Sequence, residues 1–63
     1  MSTYTVSGTV VKFNQVIDKI VHEETFAVSE KKAISNVLYR WKKEHGYTAN
    51  SAIKLINIKI DEI

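Results

Sequence analysis

The stretch "VLYRWKKEHGY" (residues 37 to 47) gathers Tyr39, Trp41 and Tyr47 with Arg40, Lys42, Lys43 and His45. Flat aromatic rings stack on unpaired bases, and guanidinium and ammonium groups neutralise phosphates. The same residue types also spell the two faces of an amphipathic helix written on one line. Helical spacing separates the two readings. Ala33, Ile34, Val37, Leu38, Trp41 and His45 form one apolar stripe, which makes Trp41 a core anchor before it is a stacking platform. Lys32, Asn36, Arg40 and Lys43 run in a row off that stripe, with Tyr39 beside it and Lys31 and Lys42 flanking it. Such a row can meet phosphates, although most amphipathic helices carry a solvated face of this kind. Tyr39 and Tyr47 lie off the stripe and are the stacking candidates.

Catalysis has little raw material. His22 shares a strand side only with Glu24, and Glu44 directly precedes His45 and points elsewhere. There is no Gly-rich phosphate loop and no metal-ligand spacing. A chain of 63 residues also leaves little room for a pocket of the usual several hundred cubic ångströms. The expectation is a non-enzymatic protein without metal or cofactor.

The elements that must position these residues follow from capping and alternation. Ser29 is an N-cap, Glu30 suits the positive end of the helix dipole, and Gly46 suits a left-handed C-cap behind Lys42 and Lys43. Lys32 stands where a capping box would place Glu or Gln. These signals predict a helix over 29–45. "TYTVSGTVVKF" (3–13) alternates as a strand, with Tyr4, Val6 and Val10 on one side and Thr5, Ser7, Thr9, Val11 and Phe13 on the other. Its apolar side changes between Val10 and Val11, just after Gly8, which points to a bulge there. A second strand is expected over 16–28, with Ile20, Phe26 and Val28 in phase and a tight turn at Asn14–Gln15. Residues 47–52 read as a loop and 53–63 as the most strand-like stretch of the chain. The predicted fold is α+β, a single β-β-α-β domain over residues 1–63. Its three-stranded antiparallel sheet has order 2-1-3, with the helix on one face.

One helix leaves the second sheet face uncovered. Val11, Phe13, Ile56 and Ile58 are the expected apolar residues of that face, and they form a candidate protein interface or homodimer contact. A chain this short buries only about 60% of its unfolded surface, so self-association is an available source of stability. Without Cys, disulfides cannot supply it. The chain is 44% hydrophobic and 25% charged, which excludes disorder, and its net charge of +2 is far from that of a protein that coats nucleic acid by charge alone. No signal peptide or membrane span is legible, so a cytoplasmic location is expected.

Three stretches resemble the archaeal large-subunit ribosomal protein LX family and its eukaryotic relatives. "YTVSGTV" is similar to the family's opening strand, "ETFAVSEKKAISNVLYRWKKEHG" to its second strand end and helix, and "SAIKLINIKIDEI" to its closing strand. The resemblance implies the same β-β-α-β order and a small RNA-associated module, with Lys42, Lys43, His45 and Lys54 near RNA. The chain departs from the family in "GYTANSA", which lacks the basic residues of the family's loop. The nucleic-acid candidates are thus Lys32, Tyr39, Arg40, Lys42, Lys43, His45, Tyr47 and Lys54. A competing expectation draws on the Ile-, Lys- and Asn-rich composition without Pro or Cys. It is a bacterial or phage accessory protein that binds another protein through its open sheet face or an edge strand.

Overall fold

The computed structural model describes residues 1–48 and 51–63. Its elements are β1 (Ser2–Lys12), β2 (Gln15–Ala27), α1 (Glu30–Glu44) and β3 (Ile53–Glu62), with the antiparallel sheet in order β2-β1-β3. This is the expected small α+β fold. Part of the loop expected at 47–52 lies outside the described residues.

Both helix caps form as their residues dictate. Ser29 Oγ accepts from Lys32 N–H at 3.2 Å. At the other end Gly46 takes φ 78°, and the N–H groups of Gly46 and Tyr47 donate back to the carbonyls of Lys43 and Lys42 at 3.4 and 2.8 Å. That pair of reversed bonds is the Schellman motif, and it fixes where the chain leaves the helix. Ala33, Val37 and Trp41 are the buried helical residues, and Ile34 and Leu38 are half-buried beside them. They pack on Tyr4, Val6, Val10, Ile20, Ala27, Ile53 and Leu55.

β1 is regular, and its neighbours carry the irregularities. Pairing of β1 with β2 shifts between Val6 and Gly8 and again between Val10 and Val11, each time with one extra residue on β2. Pairing with β3 shifts between Ser7 and Thr9, where Asn57 on β3 takes φ 52°. The expected bulge near Gly8 is therefore present, but its extra residues lie on both partners. Gly8 permits it: a Cβ there would sit 3.0 Å from both Ile56 O and Leu55 Cγ.

Three expectations are corrected. Past the shift near Gly8 the phase of β2 inverts, so Ile20, Thr25 and Ala27 are buried while Phe26 and Val28 are 60% and 67% exposed. The turn sits one residue earlier than expected: Lys12 pairs with Gln15, and Phe13 and Asn14 both have positive φ, at 50° and 64°. Two such residues make a type I′ turn, whose twist matches that of the strands. Val11 is only 7% exposed and offers little free surface, because it lies in the ladder between Val16 and Lys54. Of the β3 residues, Ile53 and Leu55 are buried under the helix and Ile60 is half-buried there. Ile56 pairs with Thr9 on the open face, and Ile58 lies in the bulge beside Asn57. Along β1 the open face is Thr3, Thr5, Ser7 and Thr9, a polar row as on a solvated antiparallel sheet.

Candidate nucleic-acid interface

The outer helix face rises directly from the capping geometry. The Schellman turn brings Tyr47 back beneath the last helical turn, where its ring stacks on Trp41 with centroids 5.4 Å apart and planes 12° apart. Tyr47 is thereby half-buried against the core, and the expectation that it stands free for stacking is corrected. Lys12, from the end of β1, lies over the Tyr47 ring with Nζ 5.2 Å from its centroid. Cation and ring attract through the ring's quadrupole.

Two shallow depressions adjoin on this surface. One is lined by Lys32, Ser35, Asn36, Leu38, Tyr39 and Lys42, the other by Tyr39, Lys42, Lys43 and Tyr47. Tyr39 and Lys42 border both, and no acidic residue lines either among the described residues. Tyr39 is 58% exposed. Lys32, Tyr39, Lys42, Lys43 and Tyr47 are thus brought together.

Three of the expected residues are placed elsewhere. The Arg40 guanidinium turns toward β2, donates to the Glu24 carbonyl at 2.7 Å and lies 3.8 Å from the Glu23 carboxylate. Its charge is partly neutralised there. His45 stacks on Trp41, 4.2 Å between centroids, on the way to β2 and not toward Tyr39. Lys54 pairs beside Val11 on the open sheet face.

A cluster that the sequence did not reveal joins His45, Trp41 and Asp18. Trp41 Nε1–H donates to Asp18 Oδ2 at 2.7 Å, and His45 Nε2 lies 3.7 Å from the same oxygen. His45 Nδ1 is 2.9 Å from the Trp41 carbonyl, which can only accept, so Nδ1 carries the proton. The indole N–H beside Asp18 holds its carboxyl below the usual carboxylate range, helped by the Lys19 backbone N–H, while desolvation acts the other way and the nearness of His45 adds a smaller lowering. Asp18 shares the parity of Val16 and Ile20, but His22 and Glu24 share it too, so alternation alone did not single Asp18 out as the partner of Trp41. The Trp41–Asp18 bond and the approach of His45 link the helix end to β2. Among the described residues no three metal-ligating side chains cluster. No described helix is long and apolar enough to cross a membrane.

The ribosomal resemblance rests on the three sequence stretches alone. Comparison of the chain with family models, with curated proteins and with solved structures gave no match.

Proposed function

We propose that the protein is a non-enzymatic binding module whose ligand is RNA, held on the outer face of α1. The observation that carries this reading is the grouping of Lys32, Lys42 and Lys43 around Tyr39, a largely exposed ring at the junction of two depressions without acidic lining. Ammonium groups meet phosphates and the phenol ring meets a base, which is the division of labour on single-strand binding surfaces. The net charge of +2 is too small to hold RNA by bulk attraction, so the local patch must supply the affinity. Charge reversal at Lys32 and Lys43 together should abolish binding at moderate salt while leaving the helix signal in circular dichroism intact. Unchanged affinity in that double variant would refute the proposal.

A second reading has its own observation. β2 exposes Val16, Val21 and Phe26, three large apolar side chains on an edge strand. Together with Ile56 and Ile58 they suit a protein partner or a second copy of this chain.

A further inference from the structure

The hairpin tip carries a residue that neither its turn nor the core explains. Type I′ turns favour Asn and Gly, because both central residues need positive φ. Here the first is Phe13, at φ 50°. A bulky side chain in that region is strained. Packing does not compensate, since Phe13 is 75% exposed. Strain without burial is most readily retained where the side chain contacts something outside the fold.

The surroundings of the ring specify what that is. Phe13 walls a depression of about 270 Å³ with Val11, Asn14, Ala52 and Lys54. Among the described residues its lining combines apolar surface, one amide and one cation, and holds no acid. A second cation, Lys12 Nζ, lies 6.0 Å from the Phe13 ring centroid and also stands over Tyr47, which borders the helix depression. A flat apolar group with an anion attached fits this set of groups, and an unstacked nucleobase on its phosphate backbone is that ligand.

We propose that the hairpin tip is a second contact of the same nucleic-acid surface, with a base stacked on Phe13 and its backbone held by Lys12 and Lys54. The proposal rests on the reading of the α1 face as a nucleic-acid surface and narrows it. The ligand is single-stranded, because a base within a duplex stack cannot enter the depression. It also gives Lys54, which lies away from the helix patch, a place on the ligand's path.

Fluorescence anisotropy of the full 63-residue chain with a labelled 12-nucleotide oligouridine, at low ionic strength, tests it. Phe13→Asn removes the ring and suits the backbone better. It should weaken binding about tenfold, the loss of one stacked base. At the same time it should raise the melting temperature by about 4–8 °C, because the backbone strain is relieved. Phe13→Tyr keeps a ring and should keep the affinity. A double-stranded RNA of equal length should show no dependence on position 13. If the wild-type chain binds and Phe13→Asn binds equally well, the hairpin-tip contact is refuted while the helix face stands. The contact is refuted in the same way if Phe13→Tyr loses as much affinity as Phe13→Asn. If the wild-type chain does not bind, both readings fall together.

Discussion

The Trp41 indole N–H donates to Asp18 across 2.7 Å, and this bond ties the last turns of α1 to the outer strand β2. Around it His45 and Tyr47 stack on the Trp41 ring, so one buried side chain organises the helix end, the turn that follows and the adjoining sheet. The helix face proposed to bind RNA is held in place by this cluster and does not share its polar groups.

Trp41→Ala should therefore unfold the protein. Truncating a buried aromatic costs about 3–5 kcal/mol, comparable with the whole stability of so small a domain. Far-ultraviolet circular dichroism should show loss of the helix. A folded Trp41→Ala chain with native-like melting would deny Trp41 this role.

Acid should weaken the fold partly through Asp18. Its folded pKa lies below the unfolded value, so its contribution is present above the unfolded carboxylate range and is lost as pH falls through the folded value. Asp18→Asn should lower the melting temperature at pH 7, and its deficit against wild type should shrink as the pH falls toward 3. A deficit of constant size over that range would show that the charge on Asp18 contributes nothing.

The two glycines should fail for different reasons. At Gly8 an added methyl meets the Ile56 carbonyl and the Leu55 side chain at 3.0 Å, so Gly8→Ala should cost about 1–3 kcal/mol by overpacking. At Gly46 the surrounding space is open, and only the positive φ resists, so Gly46→Ala should cost roughly 1 kcal/mol. Denaturant titrations of both variants give the comparison. A larger loss at Gly46 than at Gly8 would reverse this account.

Much of the architecture could be read because local chemistry agreed with it. Ser29 and Gly46 bound the helix within a residue, and the stripe through Ala33, Val37 and Trp41 named its buried face. The phase of β2 could not be read past Ile20. A bulge inserts one residue without any residue type that marks it, and Phe26 and Val28 moved to the outside as a result. The turn was misplaced by one residue because Phe13–Asn14 lacks the glycine that announces type I′ geometry. At the candidate site, side-chain spacing identified Lys32, Tyr39, Lys42 and Lys43. It could not show that Arg40 would reach across to the Glu24 carbonyl, a contact between residues sixteen positions apart.

That contact separates Arg40 from its neighbours. Arg40→Glu should weaken RNA binding less than Lys43→Glu does, and should lower the melting temperature more, because it removes the bond to the Glu24 carbonyl and sets a like charge near Glu23. Equal effects of the two substitutions on both measurements would argue that Arg40 belongs to the binding row.

Self-association is the expectation tied to the exposed apolar residues of β2 and β3. If Val16, Phe26 and Ile56 meet a second copy, the melting temperature should rise with protein concentration and fall back in Val16→Lys. A monomer by sedimentation at tens of micromolar, with melting independent of concentration, leaves that surface to a different partner.

The salt dependence of RNA affinity tests the central claim most directly. With single-stranded RNA, log K should fall linearly with log salt, by about 0.7 for each phosphate neutralised. Replacing both Lys32 and Lys43 with Glu should flatten the slope by about 1.4 or more. A wild-type chain with no salt-sensitive RNA affinity at low ionic strength would contradict the account.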